Sequence, residues 1–283
     1  MYNSPDFISL GLLSFDINDY GDGTYLKNPG GAVAYSSKLA SDHQMNPGIV
    51  TSCGKDYDIE ILLPDTKTII YPSENTTTFM NTYNLEERNQ ALLLHSNKIP
   101  QQIIPKEWKK PKIFFAGPVL HEIPKDSINW FQADFSYIVP QGWFRRWSDD
   151  GIIEIISHMA NNEFNKKWDL MVLSEEESKN LSKELLLGWA KIICITKSSD
   201  GANIFCDNGD EFNISAIKVP DVVDPTGAGD IWAAAMAIKL YSGSSIIEAG
   251  NYASAAAALS IESYGFCNSF RSSEIINKIS KID

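Results

Sequence analysis

Residues 221–237, DVVDPTGAGDIWAAAMA, combine three acids, a proline and two glycines with a run of small residues. The proline restrains Asp224 to an extended conformation, so a strand should end there and a turn begin. The two glycines leave room for a backbone bend and for close approach of a ligand. The helix that follows presents unpaired N–H groups and the positive end of its dipole at the same point. The stretch therefore predicts an anion hole formed by Gly227, Ala228 and Gly229.

Asp230 stands in the first turn of this predicted helix. An acid at such a position is commonly a cap that interacts with the helix dipole, a contribution of about 0.3–1 kcal/mol. Beside a phosphate pocket, the same carboxylate can act as general base for a hydroxyl that attacks the terminal phosphate. The choice between these interpretations depends on what else the sequence contains.

The composition limits the classes of ligand. The chain has 283 residues, a formal net charge of -12 and 43% hydrophobic residues, enough for a sizeable core. An acidic protein is repelled by the nucleic-acid backbone and by an anionic bilayer, so neither is an expected partner. A small molecule is the expected ligand, and an anionic one would need a local device such as a helix N-terminus.

Apolar runs of strand length recur along the chain and predict the elements that position these residues. Most runs are continuous rather than alternating, as in strands buried on both faces of a parallel sheet. Because helical segments such as residues 174–190 lie between several of them, we predict an α/β fold with a doubly wound, mostly parallel sheet sandwiched by helices. The predicted strands are residues 7–13, 112–117, 135–140, 168–174 and 191–197.

Two segments depart from this pattern and predict a small β lid. Residues 17–31 are rich in turn formers, and residues 76–84 alternate polar with apolar side chains. We expect lid segments at roughly 17–29 and 68–84, within a single domain spanning 1–283. The alternating strand could also pair with a copy of itself across a two-fold axis, which leaves a homodimer open.

The C-terminal third predicts two edge strands followed by two alanine-rich helices. The strands should be antiparallel, with a turn at Asn208 and Gly209. The helices should end near Gly243 and Gly265, since glycine suits the position after a helix C-terminus. Small side chains on both helices favour close packing.

Cysteine, histidine and N-terminal patterns favour a cytoplasmic protein. The four cysteines are far apart and the four histidines have no metal-ligand spacing, so we expect buried free thiols. The first apolar run lacks a preceding basic segment and predicts a strand rather than a signal peptide. No apolar stretch approaches the roughly 20 residues of a membrane-spanning helix.

Three motifs occur together in this chain: NPGGAVAYSSKLA at 28–40, ITKSSDG at 195–201 and DPTGAGD at 224–230. In order and spacing they resemble the motifs of ribokinase-like, PfkB-type carbohydrate kinases, over nearly the whole length. The resemblance implies a sandwich with a β lid and ATP-dependent, Mg²⁺-assisted transfer of the γ-phosphate to a hydroxyl of a sugar, polyol or related small alcohol. A looser similarity, through SEEE at 174–177 and VPQGWFRRW at 139–147, is to the branch containing inositol kinases.

The resemblance also implies a role for individual residues. Asp230 resembles the catalytic base, and Gly227, Ala228 and Gly229 resemble the anion hole. Asp16 resembles the acid that binds substrate hydroxyls, with a solvated turn acid as the alternative, and Gly30 and Gly31 let substrate lie against backbone. The nucleotide-binding positions are Thr196, Ser198, Gly201 and Ser254. The metal positions are Glu177 for Mg²⁺ through water, and Asp224 and Thr226 for a monovalent cation such as K⁺.

Several positions differ from the family pattern and leave alternatives open. Ser174, Ser254 and Tyr35 stand where the family has asparagine, and Ser198 stands where it has glycine. Ser174 and Glu177 also have the spacing of a helix capping box. The alternatives are a nucleoside kinase, a nucleotide hydrolase and a catalytically weak metabolite-binding or regulatory protein.

Arg145 lies in an aromatic segment after a predicted strand, where ligands collect in α/β folds. It could bind substrate or phosphate through bidentate contacts. Alternatively, this arginine and its neighbour could stack on Trp143 and Trp147 at the surface.

Overall fold

A nine-stranded sheet forms the centre of the computed structural model, which describes residues 4–19, 24–84, 87–156, 166–264 and 270–280. Its strands are β1 Phe7–Leu10, β4 Pro47–Cys53, β5 Lys67–Pro72, β8 Ile113–Ala116, β9 Phe135–Ile138, β12 Trp168–Ser174, β13 Ala190–Thr196, β14 Ala202–Cys206 and β15 Glu211–Ile214. Their order in the sheet is β15-β14-β13-β12-β9-β8-β1-β4-β5, and they are parallel except for the antiparallel pairs β13–β14 and β14–β15.

Helices cover both faces of this sheet. They are α1 Ala32–Asp42, α2 Ile59–Leu62, α3 Gln141–Phe144, α4 Glu175–Ser178, α5 Lys183–Trp189, α6 Ala228–Tyr241, α7 Ile246–Ser260 and α8 Ser272–Ile279. Short 3₁₀ segments lie at Gln101–Ile103, Lys106–Trp108, Lys125–Trp130 and Ser198–Asp200. The doubly wound α/β fold predicted from the sequence is confirmed.

Burial on both faces explains the continuous apolar strands. Ile113 and Phe115 belong to the core on the side of α1, α6 and α7, whereas Phe114 between them belongs to the core on the other side. All three side chains are fully buried. Because successive side chains of a strand point to opposite faces, a strand between two cores must be apolar at every position.

A four-stranded sheet forms the lid. It contains β2 Ser14–Asp19, β3 Tyr25–Gly30, β6 Thr77–Asn84 and β7 Glu87–Leu94, in the order β3-β2-β6-β7. Strands β2 and β6 are parallel, and the outer pairs are antiparallel. A separate hairpin, β10 Arg145–Trp147 with β11 Ile153–Ile155, lies beside the lid through a bridge between Ala91 and Ile152.

The structure corrects three predictions about segments. Lys67–Pro72 pairs with β4 in the large sheet, so this part of the predicted 68–84 lid segment is not lid, and β7 supplies the missing strand. Strand β6 is bonded on both sides by β2 and β7, so it has no free edge for pairing with a copy of itself. The segment 174–190 forms two helices rather than one, because the Ser182 side chain caps a second helix.

The C-terminal elements follow the sequence prediction where they are described. Strands β14 and β15 form an antiparallel hairpin whose turn contains Gly209 at φ 96°, and Gly243 follows α6 at φ 86°. Gly265 and Cys267 lie outside the described residues, whereas Cys53, Cys194 and Cys206 are buried free thiols. None of the helices in the described ranges is long and apolar enough to cross a bilayer.

Candidate active site

A cavity of about 800 Å³ lies between the lid and the carboxyl ends of the parallel strands. In open α/β sheets this edge is where ligands bind. The lid contributes Ser14, Asp16, Phe79 and Gln90. The loops after β9, β12 and β13, the first turn of α6 and one face of α7 supply most of the remaining walls.

The first turn of α6 opens into this cavity without a side-chain cap. Gly227 is the N-cap residue, with φ 79° and ψ -2°, and its carbonyl accepts a hydrogen bond from Ile231 N–H at 2.9 Å. The Ala228 N–H donates to the Pro225 carbonyl at 3.3 Å. The backbone N–H groups of Gly227, Gly229 and Asp230 have no hydrogen-bond partner among the described residues. Unpaired donors at the positive end of a helix dipole form a site for an anion.

Glycine is required at 227 for two reasons. Its positive φ disfavours any side chain, and a Cβ there would lie within 2.6 Å of the Tyr35 ring carbon Cε2. A Cβ on Gly229 would instead meet nothing within 4 Å. Tyr35, which comes from α1 and is buried, therefore fixes the position of the first turn of α6.

Asp230 also opens into the cavity, and its carboxyl group has a pKa raised to about 7. Burial is the largest cause, and the neighbouring Glu177 and Asp16 raise the pKa further, whereas Arg145 lowers it. A carboxyl group with a pKa near neutrality can exchange a proton with a hydroxyl under physiological conditions. The same group has no side-chain capping bond in α6.

Glu177 forms the predicted capping box and also reaches the cavity. Its Oε2 accepts from the Ser174 N–H at 2.8 Å, and Ser174 Oγ accepts from the Glu177 N–H at 3.2 Å, which completes a capping box. Glu177 also lines the cavity, where burial raises its pKa and Arg145 lowers it. In the described residues no three His, Cys, Asp or Glu side chains form a metal cluster, so Mg²⁺ held by Glu177 would take its other ligands from water and phosphate.

The structure places Arg145 in the interior rather than at the surface. The side chain is buried and lines the cavity, and its Nη1 donates to the Val119 carbonyl at 3.3 Å. Its guanidinium carbon lies 4.9 Å from the centre of the Phe79 ring, so the aromatic contact is with the lid. Arg146 is exposed. Arg145 is thus the counter-charge to Asp230 and Glu177 inside the cavity.

At the lid, Asp16 is buried and lines the cavity, and its Oδ1 accepts from Asn81 Nδ2 at 3.1 Å. Gly30 does not line the cavity, but a Cβ at this position would collide with Asp16 Oδ2. Gly31 lines the cavity at φ 100°, where a Cβ would lie 2.5 Å from the Leu12 carbonyl oxygen. The two glycines therefore allow close backbone packing beside Asp16.

The predicted nucleotide positions lie together at the other end of the cavity. Thr196, Ser198, Gly201 and Ser254 all line it. Thr196 Oγ1 donates to the Leu173 carbonyl at 3.2 Å, and Ser254 Oγ accepts from Trp232 Nε1 at 3.4 Å. Apolar side chains surround them: Ile217, Val219, Val222, Ala257 and Ile261.

The predicted cation position lies just before α6. Asp224 is buried outside the cavity lining, and its Oδ1 accepts from the Thr226 N–H at 2.9 Å. Thr226 lines the cavity, and its hydroxyl is buried without a hydrogen-bond partner among the described residues. An unpaired buried oxygen beside a carboxylate fits a bound cation.

Sequence reasoning missed several residues of the site. Asn81 and Gln90 of the lid were not singled out, although the alternation in 76–84 places Phe79 and Asn81 on one face. Glu122 was also missed. Its buried carboxyl group accepts from the N–H groups of Leu12, Val119 and Leu120 at 2.7–3.2 Å, and so ties the exit of β1 to the loop after β8. A lone glutamate in a loop gives no sequence signal for such a role.

Residues 153–273 match the profile described as pfkB family carbohydrate kinase. This match, together with the ribokinase-like fold shared with solved structures of that family, confirms the resemblance seen in the motifs. The similarity to kinases supports a phosphotransferase that acts on a hydroxyl group.

Individual relatives differ in what they phosphorylate. The cytidine kinase of Thermococcus kodakarensis is 27% identical over 242 residues, which cover 81% of this chain and 86% of that protein. A pyrophosphate-dependent kinase in the ribokinase family, complexed with a pyrophosphate analog and myo-inositol, superposes with a TM-score of 0.74 at 21% identity, covering 92% of this chain and 96% of the other. Arabidopsis thaliana ribokinase complexed with ribose and ATP gives 0.68 at 18% identity, covering 98% and 99%.

Proposed function

We propose that the protein transfers the γ-phosphate of ATP to a hydroxyl of a sugar, polyol or related small alcohol. The observation that carries the proposal is the first turn of α6, where the Asp230 carboxyl group, with a pKa of about 7, lies beside three unpaired backbone N–H groups in one cavity. General-base catalysis of phosphoryl transfer needs a proton acceptor and a fixed positive field at the same point.

Each part of the site has a role in this reaction. Asp230 takes the proton of the acceptor hydroxyl, and the Gly227, Gly229 and Asp230 N–H groups stabilise charge on the transferred phosphoryl group. Asp16 accepts hydrogen bonds from hydroxyl groups of the acceptor. Bound Mg²⁺, held by Glu177 through water, would neutralise charge on the donor phosphates. The lid covers the cavity and excludes water that would otherwise accept the phosphate.

Apolar residues around the donor end favour a donor that carries a base. Ile217, Val219, Ala257 and Ile261 offer a surface for an adenine ring, which pyrophosphate would leave uncovered. The pyrophosphate-dependent relative nevertheless makes pyrophosphate the donor to test beside ATP. The unpaired Thr226 hydroxyl supports a K⁺ ion near the anion hole.

A nucleoside kinase is the second candidate, because a cytidine kinase is among the relatives. A catalytically weak binding protein has less support, since the acid, the anion site and the counter-charge all face the same cavity. A cytoplasmic location and a homodimer stay predictions.

The test is release of ADP from Mg-ATP, or of phosphate from Mg-pyrophosphate, with and without K⁺. The acceptors are myo-inositol, ribose, fructose, 2-keto-3-deoxygluconate, adenosine and cytidine, and Asp230→Asn is the blank. We expect turnover with ATP and one sugar or polyol, reduced at least about a thousand-fold in the variant. Equal loss of turnover, ATP binding and folding in Asp230→Asn would show instead that the aspartate is a structural cap.

A further inference from the structure

A row of polar side chains crosses the inner face of the lid. Asn18 of β2, Asn81 of β6 and Gln90 of β7 occupy directly opposite positions on three neighbouring strands. Opposite residues in a sheet share a face, and Asp16, two positions before Asn18, lies on the same one. Asp16 and Gln90 line the cavity. We name Asp16, Asn18, Asn81 and Gln90 the lid ladder.

Hydrogen bonds within the ladder fix which polar atoms remain for a ligand. Asn81 Nδ2 donates to Asp16 Oδ1 at 3.1 Å and to Asn18 Oδ1 at 2.9 Å, and Asn81 Oδ1 accepts from Gln90 Nε2 at 2.8 Å. Both ends of the Asn81 amide are therefore committed. Gln90 is left with its carbonyl Oε1, which has no partner among the described residues. The ladder presents a carboxylate and a carbonyl, which are acceptors for hydroxyl protons.

The inner face of the lid also carries amide donors that the fold does not satisfy. Asn18 Nδ2, and Nδ2 of Asn28, which lies opposite Asp16 on β3, are buried without a hydrogen-bond partner in the described part of the chain. Buried polar atoms are normally paired in native proteins. Neither Asn18 nor Asn28 lines the cavity, so these donors are not themselves offered to a ligand, and Gln90 is the amide of the ladder that lines it.

The charges and aromatic contacts of the cavity further limit the class of acceptor. Among the described residues that line the whole cavity, the acids are Asp16, Glu177 and Asp230, and the cations are Arg145 and Lys218. An acceptor that already carries a phosphate would add negative charge where acids outnumber cations. Arg145 covers the Phe79 ring, so this ring is not available for stacking a base.

From these observations we infer that the lid ladder selects a neutral polyhydroxylated acceptor that carries no base. Gln90 accepts a hydrogen bond from a second hydroxyl of the acceptor, beside the one that Asp16 holds, and Asn81 is a positioning residue that orients both. This inference rests on the proposed kinase function. It concerns binding of the acceptor, which can be measured without turnover.

The test is calorimetric titration of myo-inositol, ribose, fructose and cytidine into three proteins: wild type, Gln90→Leu and Asn89→Leu. Asn89 is the exposed neighbour of Gln90 on β7, so its side chain points away from the ladder. We expect at least one of the three neutral polyols to bind the wild type more tightly than cytidine does. Gln90→Leu should raise its Kd at least five-fold, whereas Asn89→Leu should change it less than two-fold.

Asn81→Ala tests the positioning role in the same assays. Asn81 is fully buried, so a thermal melt must first show that the variant is folded. In the folded variant we expect the polyol Kd, or acceptor KM where turnover is measured, to rise with ATP affinity unchanged. Loss of both affinities would mean that Asn81 has only a structural role.

The two proposals can fail separately. Tighter binding of cytidine than of any of the polyols, no polyol binding, or an unchanged polyol Kd in Gln90→Leu would overturn the ladder inference whatever the turnover. Polyol binding that depends on Gln90, in a wild-type protein that transfers phosphate from neither ATP nor pyrophosphate, would support the ladder and refute the kinase proposal.

Discussion

The lid and the first turn of α6 present different kinds of polar group to the cavity. The lid presents side chains, Asp16 and Gln90, held by the Asn81 amide. The α6 turn presents backbone N–H groups beside one carboxyl side chain, Asp230, because residues 227–229 are glycine or alanine. Backbone donors keep their position whatever the neighbouring sequence, provided that the turn can form, whereas a side-chain network changes with a single substitution.

This contrast assigns different tasks to the two regions. The α6 turn suits the step common to all phosphoryl transfers, stabilising charge on the transferred group. The lid suits the choice of acceptor, because exchanging one amide alters which hydroxyl is bound. Changes at α6 should therefore damage chemistry or folding, and changes in the lid should damage selection.

Gly227→Ala should have the largest effect, because it disrupts the backbone turn that presents the N–H groups of α6. The new Cβ would need a strained positive φ and would displace the Tyr35 ring. We expect a loss of about 2 kcal/mol or more in the free energy of unfolding and a fall in kcat of at least about a hundred-fold. Denaturant unfolding and ADP release measure the two effects.

Gly229→Ala is the matched control for that variant. It lies two residues on, has no positive φ, and its Cβ would meet nothing within 4 Å. Its unfolding free energy should stay within about 0.5 kcal/mol of the wild type. An equal loss of stability in both variants would contradict the assignment of strain to position 227.

Asp230→Asn should stabilise the protein while removing its activity. The native pKa of about 7 exceeds the ordinary value of 3.8, so the native state binds more protons than the unfolded state between those values. Stability therefore falls as pH rises through this window. Above pH 7 we expect the free energy of unfolding of the variant to exceed that of the wild type by about 2 kcal/mol. This is roughly half of what the full pKa shift would give at 1.36 kcal/mol per pKa unit, because solvent in the cavity screens the charge.

Unfolding measured at pH 4 and pH 8 checks this prediction. The advantage of the variant should be small at pH 4, where Asp230 keeps its proton in the native state and is protonated in about 40% of unfolded chains. An advantage that is the same at both pH values would show that burial of the charge is not its cause.

The α6 site could be predicted from the sequence, whereas the lid ladder could not. In 221–237 the turn chemistry is local: the proline, the glycines and the aspartate act within one loop and one helical turn, so their order alone carries the information. The ladder joins the consecutive strands β6 and β7 to β2, which lies about 65 residues earlier in the chain and meets them only through strand register. A period-2 pattern predicts a strand but not its partners.

The same dependence on contacts far apart in the chain explains the errors in the predicted segments. Lys67–Pro72 has the length and composition of a strand, but its pairing with β4 rather than with the lid depends on the crossover through α2. The capping box at Ser174 is local and was predicted, whereas the entry of Glu177 into the cavity beside Arg145 depends on contacts far along the chain.

Arg145→Met tests the counter-charge beside Asp230. Because Arg145 lowers the pKa of Asp230, its removal should move the ascending limb of the pH profile of kcat/KM to higher pH, by about one unit. Arg146→Met is the control, since Arg146 is the exposed neighbour on β10. A lower kcat/KM with an unmoved pH profile would mean that Arg145 binds a ligand without tuning the base.

Ser174→Ala should have the smallest effect, and it separates helix capping from site chemistry. Ser174 and Ser245 each form a capping box with the glutamate three residues on, but Glu177 lines the cavity and Glu248 does not. Either alanine variant should lose about 1 kcal/mol of stability. Only Ser174→Ala should also raise the Mg²⁺ concentration needed for half-maximal turnover, because it leaves the Glu177 carboxylate less well held. Equal Mg²⁺ requirements in the two variants would mean that Glu177 only caps the helix. Another residue of the cavity would then organise the metal.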